Sequence, residues 1–178
     1  MEEYKRTNPL FSLCGLNCGL CPRFNTEGES KCPGCGGKDF NKKHPSCKVI
    51  NCSKQHNNVD YCFNCNSYKC NKYLSNTKDS FITYKNVNND LTYCIDNGID
   101  KYMEILNKKI DILKFLLKKY NNGRLKNFYC ISVNLLSIED LNDIMETINK
   151  NDIKEIDVVV KLIEDKAKEK NIELKLRK

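Results

Sequence analysis

Ten of the twelve cysteines in this 178-residue chain fall between Cys14 and Cys70; only Cys94 and Cys130 lie outside. Around those ten the chain is rich in Gly, Pro, Asn and Ser and shows poor apolar periodicity. A segment of that composition cannot bury enough apolar surface to order itself, so something other than a hydrophobic core must organise it. The opening Met-Glu-Glu-Tyr-Lys-Arg is acidic then basic and no apolar run follows it, so no secretory signal is read. No stretch approaches the roughly 18 apolar residues of a membrane span. The expected location is therefore the cytoplasm, where thiols stay reduced and clustered cysteines serve as metal ligands rather than disulfides.

The spacing supports the same chemistry: Cys14-x3-Cys18-x2-Cys21, Cys32-x2-Cys35, Cys47-x4-Cys52, Cys62-x2-Cys65-x4-Cys70. Two thiolates three positions apart reach one metal when the backbone between them turns tightly, and Pro33-Gly34 favours such a turn. Two such pairs complete a tetrahedral site with Zn–S distances of about 2.3 Å. Pairing in chain order gives Cys18, Cys21, Cys32 and Cys35 as one site and Cys47, Cys52, Cys62 and Cys65 as another. Cys14 and Cys70 remain, with His44 and His56 as possible companions. A third site, a swap of ligands or bridging thiolates fit the same count.

Structural zinc is preferred over catalytic zinc, which keeps an open position and mixes in His or carboxylate. His44 and His56 read more simply as solvated loop residues than as ligands. The alternative cofactor is an iron–sulfur cluster serving electron transfer or radical chemistry, since four thiolates hold such clusters as well. Cys14-x3-Cys18-x2-Cys21 matches the spacing of radical S-adenosylmethionine enzymes, but no alternating strand–helix series follows it. Cys94 and Cys130 sit in apolar contexts and read as core residues.

The run Leu13-Cys-Gly-Leu-Asn-Cys-Gly-Leu-Cys-Pro22, then Cys32-Pro-Gly-Cys-Gly36, Cys47-Lys-Val-Ile-Asn-Cys52, Tyr61-Cys-Phe-Asn-Cys65 and Lys69-Cys70, resembles a known family. That family is the cysteine-rich bacterial and archaeal group filed under domain of unknown function 3795, and the likeness covers about residues 13–75. The resemblance implies a zinc-binding module and implies no established activity. Asn66 and Lys69 stand where the family often has prolines.

Downstream the pattern turns helical. A short helix is expected from Asn89 or Asp90 through Ile95 to a stop at Gly98. A longer one is expected from about Asp100 to Tyr120, with Met103, Leu106, Ile110, Leu113, Leu117 and Tyr120 as its stripe, Ile105, Ile112 and Leu116 widening it toward more than one neighbour, and Lys108, Lys109, Lys114, Lys118 and Lys119 as its wet face. Asn121-Asn122-Gly123 ends it. Phe128 to Leu136 is ambiguous between strand and helix. Ser137-Ile-Glu-Asp140 and Asp152-Ile-Lys-Glu155 resemble capping boxes, each opening a further helix. Residues 172–176 alternate as a short strand would.

The fold class expected is a small metal-organised, loop-rich cysteine module over residues 1–75 plus an α-helical domain over 76–178, mainly α with few short strands. All ten cysteines from Cys14 to Cys70 are candidate ligands of two or more Zn2+ ions. The net charge of +7 divides as +5 up to residue 75 and +2 beyond it. Much of the lysine excess accompanies Asn and Ile, all residues of A/T-rich codons, which weakens its meaning. It still keeps a protein or nucleic-acid partner open for the basic module. No phosphate loop, nucleophile elbow or metalloprotease helix is present, so no catalytic residue is assigned. Arg124, Lys126, Phe128 and Tyr129 could form an anion- or base-binding loop, but a solvated connector is the simpler reading.

Overall fold

A computed structural model describes residues 4–44, 46–71 and 78–178. The described residues are mainly helical and contain no β-strand. In the cysteine-rich segment the described residues include two short helices, α1 (Phe40–Lys43) and α2 (Lys48–Gln55). Five form the second part: α3 (Val87–Asn97), α4 (Ile99–Lys119), α5 (Lys126–Leu135), α6 (Ile138–Lys150) and α7 (Ile156–Glu169).

Helix α4 is the central element and packs against α3, α5 and α6. Its buried face is Tyr102, Leu106, Ile110, Leu113 and Leu116, and Tyr120 is buried just beyond its end. The expected stripe is thus rotated slightly: Leu116 of its widened edge is buried, Tyr102 is inside as well, and Met103 and Leu117 are only partly buried. The wide apolar arc of this helix allowed either choice, and neighbours on several sides decided it. Helix α3 begins at Val87, three residues before Asp90, and stops at Gly98 as expected.

The ambiguous segment is helix α5, with Tyr129, Cys130 and Val133 buried. Ser137 caps α6 as read: its Oγ accepts from the Asp140 amide at 3.0 Å and donates to the Asp140 carboxylate at 2.8 Å. The second box is corrected. Asp152 has φ +46°, and the Ile153 amide donates to Ile148 O at 3.0 Å. Asp152 therefore helps close α6, and α7 starts later, after Glu155, without a side-chain cap.

The strand expected over residues 172–176 is absent. Here Lys85 Nζ donates to Glu173 O and Lys175 O, both at 2.9 Å, filling carbonyls that a neighbouring strand would have used. The tail is fastened by Asp79, whose carboxylate takes Arg177 Nη2 and the Arg177 amide at 2.8 Å each, and the Tyr84 amide at 2.8 Å. Arg177 and these amides hold the Asp79 carboxyl below its usual pKa against the opposing effect of burial.

One core runs through both parts of the chain. Phe11, Leu20 and Tyr61 are buried together with Leu91, Leu106, Leu113, Val133, Leu141 and Val159. Gly19 sits so close to α4 that a Cβ there would stand 2.4 Å from Ile110 Cδ1. A smaller core of Leu13, Cys35, Phe40 and Ile50 lies within the cysteine-rich segment itself. Cys94 and Cys130 are buried, as their apolar contexts indicate.

Candidate metal centre

Each cysteine pair is shaped by a local turn. Cys18–Leu20 and Cys62–Asn64 are single 3-10 turns, closed by Cys21 N–H to Cys18 O at 3.0 Å and Cys65 N–H to Cys62 O at 3.1 Å. Such a turn brings the flanking residues of a Cys-x2-Cys unit close together. Before it, Ser12 Oγ accepts the Leu16 amide at 2.7 Å and lies 3.2 Å from the Cys14 sulfur. Cys32-Pro-Gly-Cys35 is anchored by Cys32 N–H to Arg23 O at 3.0 Å and Cys35 N–H to Pro9 O at 2.9 Å. Gly34 makes this possible: its φ is +81°, and a Cβ would lie 2.3 Å from Pro9 O. Cys47 precedes α2 and Cys52 lies in its second turn. Cys62 N–H donates to Leu13 O at 2.8 Å, tying the last cysteines back to the first.

The ten cysteines line two pockets. Cys14, Cys18, Cys21, Cys32, Cys35 and Cys47 line a cavity of about 300 Å³. Cys52, Cys62, Cys65 and Cys70 line a separate small pocket, with His56 at its wall and Cys14 shared between the two. Cys47 lines the same cavity as Cys18, Cys21, Cys32 and Cys35, and Cys70 the same pocket as Cys52, Cys62 and Cys65. His44 borders the first cavity but stacks on Phe40, ring centroids 4.6 Å apart. Among the described residues, no three His, Cys, Asp or Glu side chains form a group placed to hold a single metal ion.

The electrostatics link the two pockets through Cys14. Burial pushes the Cys14 thiol up to about 11, with Cys35 and Cys47 adding to the rise. Cys18 is raised well above its ordinary value by burial, then by Cys35 and Cys14. Cys62 is pushed up to about 12 by burial, then by Cys14, Cys70, Cys52 and Cys65. Buried thiols crowded in this way resist ionisation unless a cation joins them. Backbone amides lean the other way: that of Leu16 lowers Cys14, and those of Arg23 and Phe24 lower Cys21. The Arg6 guanidinium does the same for Cys35, which burial raises overall. Clustered thiols with amides directed at sulfur form a donor set suited to zinc or to iron–sulfur centres.

Sequence reasoning missed a buried polar hub beside these cysteines. Asn17, only 3 % exposed, donates to Asp90 Oδ2 at 3.0 Å and Asn134 Oδ1 at 2.9 Å and accepts from Tyr102 OH at 2.8 Å. It joins the Cys14–Cys18 turn to α3, α4 and α5. Lys109 belongs to the same region and is not on the wet face. Its Nζ donates to Leu136 O at 2.6 Å, at the C-terminal end of α5, and burial lowers its pKa. An Asn between two cysteines is the one signal available in sequence, and it resembles any turn residue. The Arg124–Tyr129 segment proves structural. Asn121 and Asn122 cap the Gly123 and Arg124 amides, Lys126 Nζ reaches Thr26 Oγ1 at 2.9 Å, and Tyr129 is buried.

No helix among the described residues is long and apolar enough to cross a membrane. No curated protein and no solved structure gives a significant match to the chain. The cysteine-rich segment, residues 10–75, matches the model of the family described as Protein of unknown function (DUF3795), the family that its cysteine spacing resembles.

Proposed function

We propose that this is a cytoplasmic zinc-binding protein in which Cys14, Cys18, Cys21, Cys32, Cys35, Cys47, Cys52, Cys62, Cys65 and Cys70 hold two or more structural Zn2+ ions. The observation that carries the reading is the gathering of these ten thiols into two groups while Cys94 and Cys130 stay in the core. Metal binding supplies folding free energy to a segment whose own apolar core is small. The role that fits is interaction with a protein or nucleic acid through the basic module, rather than catalysis. Phe81 supports it: the ring is 59 % exposed, with the Arg23 guanidinium 4.7 Å from its centre. Aromatic and guanidinium faces of this kind dominate contact surfaces.

The test is elemental analysis of the purified protein, followed by chelation and hydrogen exchange. At least two zinc ions per chain, and faster amide exchange over residues 13–70 once they are removed, are expected. A metal-free protein with full amide protection there would refute the proposal. A visible chromophore with iron and sulfide would replace zinc by the iron–sulfur alternative.

A further inference from the structure

We infer that Arg6 is the charge-balancing residue of the metal centre: its guanidinium answers the negative charge on the Cys35 thiolate when zinc is bound, and so slows loss of the metal. This rests on the zinc reading above and names a residue outside the ligand set that governs how firmly the site holds its ion.

The backbone sets Arg6 against the turn that carries Cys35. The Arg6 amide donates to Gly36 O at 3.1 Å. Gly36 has φ +70°, and a Cβ there would stand 2.8 Å from Arg6 Cγ, so only glycine lets the two stretches touch. Cys35 is buried and lines the larger cysteine cavity. Tyr61, the residue before Cys62, covers the guanidinium, its ring centre 4.5 Å from Arg6 Cζ. Tyr4 packs at the same place.

This setting leaves the cation unanswered by the protein alone. Arg6 Nη1 is buried without a hydrogen-bond partner. Among the described residues, no carboxylate lies within ion-pair distance of Arg6. A buried guanidinium with an idle N–H and no counter-ion is costly, and an anion beside it removes the cost. The groups facing it are Cys35, Tyr4 and Tyr61; burial works against its charge, and these three, Cys35 foremost, raise its pKa in return. A phenol ionises only near about pH 10, and burial, then Cys35, pushes Tyr4 higher still. Cys35 is different, because a cysteine that binds zinc does so as a thiolate. The Leu13 amide is directed at the same sulfur. Partners that hold a ligand from outside the coordination shell set metal affinity in this way.

Two variants of the full zinc-loaded chain test this, with helical circular dichroism as the check on folding. Arg6→Met removes the charge and keeps an unbranched stem against Gly36 and Tyr61; Arg6→Lys keeps the charge. In competition with a chelator, zinc affinity should fall about 10–100-fold in Arg6→Met and stay within about threefold of wild type in Arg6→Lys. At saturating zinc, iodoacetamide should reach Cys35 faster in Arg6→Met alone, while Cys65, in the other pocket, reacts as in wild type. If Arg6→Met does not fold, Arg6→Gln takes its place with the same expectations. Unchanged affinity without the charge would overturn the inference. So would equal losses in Arg6→Met and Arg6→Lys, the result that a purely structural Arg6 predicts. Either would leave the zinc reading standing, whereas a chain that takes up no zinc would overturn both.

Discussion

Replacing Asn17 with alanine tests whether the cysteine-rich segment and the helices form one cooperative unit. Asn17 makes three side-chain hydrogen bonds in a buried setting, to Asp90, Asn134 and Tyr102. Each contributes about 1 kcal/mol net, and a buried polar group left unpaired costs about 1–3 kcal/mol. Tyr102 OH is near enough to Asp90 to redirect its bond there, recovering one. Asn134 Oδ1 has no such replacement. Asn17→Ala is therefore expected to destabilise the protein by about 3 kcal/mol. For a chain of this length that lowers the melting temperature by roughly 6–12 °C. Urea unfolding followed by far-UV circular dichroism reads the helices, the five longest of which lie beyond residue 85. The loss should appear in that helical transition, because the bonds end on α3, α4 and α5. A helical midpoint shifted by less than about 1 kcal/mol would show that the segment is only loosely docked, and the reasoning would fail.

Two further expectations follow from the same geometry. Burial pushes Asp90 up to about 6, with Lys109 and hydrogen bonds from Tyr102 and Asn17 opposing. A raised carboxyl favours the protonated folded form, so its contribution is complete below about pH 4 and is lost as pH rises through 6. Asp90→Asn should therefore gain on wild type by up to about 3 kcal/mol between pH 4 and 7 in paired urea titrations; parallel pH curves would contradict this. Gly34→Ala meets both a left-handed φ and Pro9 O at 2.3 Å, whereas Gly28→Ala meets the φ alone with open space around it. Zinc release to a colorimetric chelator should accelerate at least tenfold in Gly34→Ala and far less in Gly28→Ala, with the Gly34 penalty at about 2 kcal/mol or more. Equal rates would remove Gly34 from the account of the six-cysteine cavity.

The cysteine pattern and the helices differ in how far sequence could carry them. Helix α4 was legible because its apolar residues recur with the helical period, and α6 because Ser137 and Asp140 stand at capping distance. Asp152 misled because an acidic residue before a helix can close the preceding element as well as open the next. The strand over residues 172–176 failed because alternation specifies a strand only where another strand accepts its backbone, and Lys85 and Asp79 took that place. Phe81, the exposed face beside the first cavity, carried no sequence signal at all.

By itself the sequence marked ten clustered cysteines as candidate thiol ligands, since residue type and local spacing suffice for that. It also set most helices, through a period that needs no partner to be read. Only the tertiary structure decided how the cysteines divide. Cys47 shares a cavity with Cys35, and Cys70 a pocket with Cys62, where the turn at Gly34 and the Cys62–Leu13 hydrogen bond bring distant stretches together. It alone joined the cysteine-rich segment to the helices, through Asn17, Gly19, Phe11 and Leu20. The physical reason is one of range: spacing acts within a few residues, whereas burial and long-range hydrogen bonds exist only once the chain has closed on itself.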